Sequence, residues 1–234
     1  MEANPVISGN VLQRVLFIRN GDQQGTAFTI EIDERQYLIT ARHLVPPESN
    51  PVLIDVFYNG QWSRVNVTTI PIAPDDVDIS VLAAPIQLTP TPPINVDGGC
   101  HLSEQVYFLG FPYGLRMDED NATSINNGLP LPFVKHAIIS AFEGLGLSNR
   151  YLLDGFNNPG FSGGPVVRGG QNPNQMTIIA VVSARHLIQE PVVVGGKPSA
   201  MTVPISTGIM VAYPINRAVE AIRQHPIGFV VKRY

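Results

Sequence analysis

The chain has a single cysteine, Cys100, among its 234 residues. One thiol excludes an internal disulfide framework, so the fold must rest on its own core, and a reducing, cytoplasmic setting is expected. Charge is scarce as well: Asp, Glu, Lys and Arg make up 15% of the chain, and the net charge is -4. A phosphate-binding surface normally needs a basic excess, and no Lys/Arg cluster supplies one, so no nucleic-acid partner is expected. No run approaches the ~18 apolar residues of a membrane-spanning helix, which argues against a membrane partner. The opening MEANPVISGNVLQRV lacks both the basic start and the apolar stretch of a signal peptide. Metal-ligand spacing is missing too. Cys100-His101 has no second ligand pair, and Asp118-Glu119-Asp120 lacks the alternating ligands and glycine of a calcium loop. No metal and no cofactor are therefore expected. His136, His186 and His225 have no recognisable partners in the sequence, and Trp62 reads as a packing residue.

What the chain does have is turn residues and short apolar runs. Gly and Pro number 21 each, and hydrophobic residues reach 44%, which fits an ordered chain of many short strands. The runs 11–18, 25–32, 35–41, 52–58, 64–70 and 79–83 read as six strands. The stretch APIQLTPTPPINVDGG (84–99) carries four prolines, which cannot donate to a ladder, and reads as a linker. A second β-rich set follows at 105–111, 134–142, 151–154, 165–167, 176–184, 191–195 and 208–213. Residues 214–225 place Ile215, Ala218, Val219 and Ile222 at helical spacing, with Pro214 tolerated in the first turn. The expected organisation is all-β: two six-stranded antiparallel barrels and a C-terminal helix. Residues 1–84 form the first barrel, 85–104 a proline-rich bridge, and 105–234 the second barrel with the helix. Periodicity alone does not separate this from a pair of sandwiches. The polar insertion 116–130 reads as a mobile surface loop.

The strongest chemical signal is Asn158-Pro159-Gly160-Phe161-Ser162-Gly163-Gly164-Pro165. A nucleophilic serine needs an exposed hydroxyl and backbone N–H groups aimed at the oxyanion formed when it attacks a carbonyl. Glycines around the serine permit the backbone angles and the close approach that both requirements impose. The N–H groups of Gly160 and Ser162 are the candidate oxyanion donors. A second signal is Thr40-Ala41-Arg42-His43 after an apolar strand. An imidazole, titrating near ~6.5 in water, can take the serine proton and return it to a leaving amine. Asp78 opens the run Ile79-Ser80-Val81-Leu82 and can orient such an imidazole; Asp75 and Asp76 compete for that role, but Asp78 adjoins the strand. The order His, Asp, Ser, with the first two in the N-terminal β set and the serine in the C-terminal set, places a site between two halves.

These pieces resemble the trypsin-like serine peptidases, and more closely their disulfide-free bacterial branch, which includes the protease domain of HtrA-type enzymes. The matching segments are GTAFTI (25–30), YLITARHLV (37–45), DVDISVL (76–82), LGFPYGL (109–115), AIISAF (137–142), NPGFSGGPVV (158–167) and GIMVAYPINRAVEAI (208–222). The resemblance implies the double barrel, a triad of His43, Asp78 and Ser162, and hydrolysis of peptide bonds in a protein or peptide substrate. It also implies a primary pocket framed by Phe156-Asn157, Ser183-Ala184-Arg185 and Gly208-Ile209. No carboxylate stands at those positions, so an apolar side chain is expected there, with an acidic one drawn by Arg185 as the rival. Phe161 replaces the small polar residue common in the family just before the serine, so an acid-based activation switch is not expected. Arg42 stands where a small residue is usual. No PDZ segment follows, so peptide-regulated chaperone behaviour is not implied. A serine esterase, or a protease-fold module that holds peptides without cutting them, would use the same cleft.

Overall fold

The computed structural model describes residues 7–47, 50–90, 92–117, 126–144, 149–169 and 175–231. A helical turn, α1 (Gly9–Leu12), leads into β1 (Val15–Asn20), β2 (Gln23–Ile32), β3 (Arg35–Thr40), β4 (Val52–Tyr58), β5 (Gln61–Ile70) and β6 (Ser80–Ala83). Their order β3-β2-β1-β4-β5-β6, closed by a β3–β6 pairing, makes a six-stranded antiparallel barrel. The bridge contains the short β7 (Asn95–Val96). The second half comprises β8 (Gln105–Gly110), β9 (Phe133–Glu143), β10 (Arg150–Asp154), β11 (Pro165–Arg168), β12 (Thr177–Val194) and β13 (Lys197–Pro214). They run β11-β8-β9-β10-β13-β12, and β12 pairs again with β11 to give a second ring. Helix α2 (Asn216–Gln224) follows, and then β14 (Phe229–Val230) returns to pair with Arg35 and Gln36 of β3.

The apolar runs are continuous because both faces of many strands are buried. In β1, Leu16 and Ile18 pack with Leu38, Ile54 and Leu82 in the first barrel, while Val15 and Phe17 belong to a different cluster. That cluster draws on both halves, joining Phe17, Phe28 and Ile39 to Leu109, Phe111, Val181, Ile215 and Ile222. A third group, with Phe108, Ile139, Leu153, Val166 and Val182, fills the second ring. The two rings therefore share a core across their junction.

The proline-rich bridge is held by buried polar groups. Arg14, fully buried, donates to the Thr29 carbonyl at 2.7 Å, to Glu31 at 3.1 Å, and to the Pro92 carbonyl at 2.6 Å. Gln36 of β3 donates from Nε2 to Glu31 and to the Thr89 carbonyl, and its Oε1 accepts from the Leu88 N–H at 2.7 Å. A segment that cannot build a ladder of its own thus satisfies its backbone on side chains of the first barrel.

Three sequence expectations change. Residues 11 and 12 are helical, so the first strand begins at Val15. Segments 176–184 and 191–195 belong to one strand, β12, and 208–213 is the end of another, β13. Together they form an 18-by-18-residue hairpin turning at Gly195-Gly196. The helix begins at Asn216 rather than at Pro214. Of the insertion 116–130, residues 118–125, and with them the acidic run 118–120, lie outside the described residues. Its described ends are anchored: Leu129 is buried in the first barrel's cluster, and the Gly128 carbonyl accepts from the Asn59 N–H at 2.8 Å. Among the described residues no helix is long and apolar enough to cross a membrane.

Candidate active site

Strand register brings His43 and Asp78 together. Thr40 at the end of β3 pairs with Ser80 at the start of β6, so the residues just beyond these positions leave the barrel at one rim. His43 lies on a turn closed by N–H groups of Leu44 and Val45 bonding to the Ala41 carbonyl, and Ser80 Oγ donates to the Val45 carbonyl at 2.6 Å. Asp78 receives His43 twice, from the backbone N–H at 2.9 Å and from ring Nδ1 at 2.8 Å. The backbone contact holds the carboxylate against the His43 turn and the ring contact engages Nδ1, while the other ring nitrogen has no hydrogen bond among the described residues. Ser183, in β12 of the other half, donates its hydroxyl to Asp78 Oδ2 at 2.5 Å. Burial works against the Asp78 charge, but the His43 and Ser183 hydrogen bonds and the His43 ring outweigh it and hold the carboxyl below the usual range.

Asp75 is engaged elsewhere. The Arg42 guanidinium grips its carbonyl and carboxylate, and also donates to the Ile72 carbonyl. Asp76 presents its carbonyl to the Tyr213 hydroxyl at 3.1 Å. Arg42 and Tyr213 thereby brace, from the two halves, the loop that carries Asp78. A cleft of about 580 Å³ opens here between Arg42, His43, Pro46, Pro47 and Asp78.

Ser162 lies three residues before β11 on a turn whose backbone is tightly packed. Gly163 has φ +82, and a Cβ there would stand 2.1 Å from the Thr26 carbonyl. Gly160 has φ +103, and a Cβ would stand 2.2 Å from the Phe111 carbonyl; neither position admits another residue without rearrangement. The Pro159 carbonyl accepts from Tyr113 N–H at 2.7 Å and the Phe161 carbonyl from Gly164 N–H at 2.9 Å. In a trans peptide the N–H points opposite its carbonyl. The Gly160 and Ser162 N–H groups therefore point away from those partners, and neither has an acceptor among the described residues. Thr26 of β2 sets this turn: its N–H donates to the Ser162 carbonyl at 2.9 Å and its hydroxyl to the Gly160 carbonyl at 2.7 Å, while the hydroxyl accepts from Phe111 N–H.

The Ser162 hydroxyl donates to the Ser183 carbonyl at 3.0 Å. No hydrogen bond joins it to His43 among the described residues. Ser183 thus touches both ends of the constellation, its hydroxyl on Asp78 and its carbonyl on Ser162.

The expected pocket residues also gather beside Ser162. Asn157 is buried and donates to the Ala184 carbonyl at 3.1 Å. Gly155 N–H donates to the carbonyl of Gly208, which has φ +81. Phe156 is half exposed, Ala184 and Ile209 are exposed, and Arg185 is partly so. Lys135 of β9 went unnoticed in the sequence. Its ammonium bonds to the Phe156 carbonyl and to Asn158 Oδ1, 5.3 Å from the Phe156 ring, and burial pushes its pKa down. Only the pairing of β8 with β9, which sets Lys135 opposite Phe108, places it there. Thr26, Ser183 and Tyr213 likewise gave no sequence signal as supports, because each acts on the opposite half. Cys100 is partly buried, and burial raises its thiol pKa, which disfavours a thiolate nucleophile. Among the described residues no group of three or more His, Cys, Asp or Glu side chains could hold a metal.

The chain is similar in structure to a serine-to-alanine mutant of Rv3671c from M. tuberculosis H37Rv in its inactive form. The TM-score is 0.55 at 17% identity, with 96% of this chain and 95% of that chain covered. It is also similar to the HtrA-type protease AlgW in a serine-to-alanine form with a tripeptide, with TM-score 0.58 at 21% identity, covering 93% of this chain and 61% of that one. Identities this low speak for the fold alone. A comparison with curated proteins finds no relative. The family model described as "Trypsin-like peptidase domain" matches residues 25–172, from β2 through the Ser162 turn and β11, well over half of the chain. With the barrel, the ring and the gathered site residues in place, that match settles the family: the chain belongs to the trypsin-like serine peptidases.

Proposed function

We propose that this peptidase is an endopeptidase in which Ser162 is the nucleophile, His43 the general base and Asp78 the group that orients it. The observation that carries the reading is the doubly bonded Asp78–His43 pair, linked through Ser183 to a serine flanked by two unpaired N–H groups. In the reaction His43 Nε2 takes the Ser162 proton as Oγ attacks the scissile carbonyl. The oxyanion is received by the Gly160 and Ser162 N–H groups, and the proton passes to the leaving amine. Water then repeats the sequence on the acyl-enzyme with roles reversed. The resting hydrogen bond of Ser162 to Ser183 has a place in this scheme. A substrate N–H that binds the Ser183 carbonyl displaces the hydroxyl and frees it to turn towards His43.

The substrate is a protein or peptide. With Lys135 and Arg185 near the pocket and no carboxylate among its framing residues, a basic side chain would enter against like charge. An apolar residue before the cut suits Phe156 and Ala184, and an acidic one would place Arg185 in the specificity role. A fluorophosphonate probe should label the wild-type protein, and Ser162→Ala should lose the label and at least ~10⁴-fold of kcat while staying folded. Most turnover surviving in that variant overturns the assignment. The resting Ser162–Ser183 bond favours one second reading, a module that holds peptides without cutting them. A wild-type protein that binds peptides but takes no label would establish it.

A further inference from the structure

Each residue from Phe156 to Gly160, between the pocket and the nucleophile, is held by another part of the chain. Lys135 of β9 donates its ammonium to the Phe156 carbonyl and, at 3.3 Å, to Asn158 Oδ1. Asn157 reaches the Ala184 carbonyl of β12. The Pro159 carbonyl accepts from Tyr113 N–H, and the Gly160 carbonyl from the Thr26 hydroxyl. Asn158, in the middle, is gripped on both sides, since its Nδ2 donates to the Tyr113 hydroxyl at 3.4 Å. Tyr113 is itself in the left-handed region, with φ +53, a conformation that a non-glycine residue keeps only where its surroundings hold it. Pro159 then passes the position of Asn158 on to Gly160. Its ring fixes φ and disfavours helical backbone for the residue before it, so little freedom remains between the two.

Among these anchors Lys135 is the one cation. Its ammonium lies 5.3 Å from the centre of the Phe156 ring, 5.7 Å from that of Phe161 and 5.9 Å from that of Phe108, and the last two rings are buried. A charged amine is attracted by aromatic faces and makes stronger hydrogen bonds than a neutral one. The grip on the Phe156 carbonyl and on Asn158 therefore depends on the charge. We infer that Lys135, as an ammonium, is a positioning residue for acyl transfer: acting through Asn158, it holds the Pro159–Gly160 peptide with its N–H turned to the oxyanion. This rests on the endopeptidase reading above. It carries a pH limit. Burial pushes the Lys135 pKa down, and the Tyr113 hydroxyl, across Asn158, is the titratable group that opposes this. β8 and the 156–161 segment offer it rings, a carbonyl and an amide, while His136 next to it packs on Tyr107. The charged form is complete at neutral pH and is lost as pH rises through the lowered value, so kcat should fall there.

Steady-state kinetics on two peptides, built on a cut found in digested casein with leucine or glutamate before the bond, test this in the wild type, Lys135→Met and Lys135→Arg. Methionine keeps an unbranched stem and removes the charge. It should lower kcat about 10- to 100-fold on both peptides, with KM within about 2-fold, and slow fluorophosphonate labelling by the same factor. Arginine should restore most of kcat. Because a guanidinium stays charged above about pH 12, it should also abolish the alkaline fall, with circular dichroism confirming the fold at each pH. Should Lys135→Met not fold, the comparison of wild type with Lys135→Arg decides alone. A wild-type kcat that stays flat up to pH 10.5, the ordinary lysine value, overturns the inference, as does an alkaline fall unchanged in Lys135→Arg. So does a Lys135→Met enzyme of wild-type kcat. A loss confined to the glutamate peptide would make the ammonium a specificity group and equally overturn the positioning role. In each of these cases turnover and labelling of the wild type leave the endopeptidase reading standing. A wild type that cuts neither peptide and takes no label overturns both.

Discussion

At the scale of single residues, the site is a set of groups whose states depend on one another. Asp78 is held below the ordinary carboxylate range, so its native form keeps its charge into acid while the unfolded chain takes up a proton first. Its contribution to stability is therefore complete above the unfolded value of ~3.9 and disappears as pH falls through the lower native value. Asp78→Asn should flatten the loss of stability between about pH 4 and more acid conditions, followed by circular dichroism. It should also lower kcat by on the order of 10⁴-fold at neutral pH, since an amide favours the wrong imidazole tautomer. Thr26→Val keeps shape but loses the hydroxyl bonds to Gly160 and Phe111, so the turn that carries Gly160 and Ser162 loses its brace. An expected fall in kcat of about 10- to 100-fold, with KM little changed, would be seen in steady-state kinetics. His43, Asp78 and Ser162 were legible in the sequence because acyl transfer demands those residue types at the ends of apolar runs. Thr26 and Lys135 were not, and Ser183 was expected only as a frame of the pocket and not as a partner of Asp78, because nothing local marks a threonine, serine or lysine whose partner lies far along the chain.

At the scale of elements, the linker shows how a stretch rich in proline becomes rigid. Arg14, Glu31, Gln36 and Thr89 form one buried group, so removing Arg14 leaves Glu31 inside without its cation. Arg14→Ala should cost about 3–5 kcal/mol in urea denaturation. Arg14→Lys should recover only part of that, because an ammonium has three donors on one atom where the guanidinium makes five hydrogen bonds from three. Strand positions in the first barrel were readable from apolar runs bounded by turn residues. The long hairpin was not, since Pro191, Pro198 and Pro204 look like breakers unless one knows that their missing N–H groups face solvent. The start of the first strand is hidden for a similar reason: Val11 and Leu12 are apolar enough for a strand, but their N–H groups close a helical turn on the Ser8 carbonyl.

At the scale of the whole molecule, the halves are joined by a shared core and by the site itself, with Ser183 on Asp78 and Thr26 on the Ser162 turn. Neither half can lose its packing without exposing apolar surface of the other, so thermal unfolding should be a single transition with coincident near- and far-ultraviolet signals. Two resolved steps would show that the junction is weaker than its packing implies. The strand β14 adds a matter of timing. Phe229 follows the last strand of the first barrel, ending at Ala83, by 146 residues, yet it pairs with Gln36 and precedes a Val231 N–H bonded to the Glu34 carbonyl. At about 5–20 residues per second of synthesis, the first barrel waits roughly 7–30 s on the ribosome for its final strand. Ser162 and Ser183 also arrive long after His43 and Asp78. A nascent chain therefore carries His43 and Asp78, and the six strands that set them at one rim, before the half that brings Ser162 and Ser183 to them has been made.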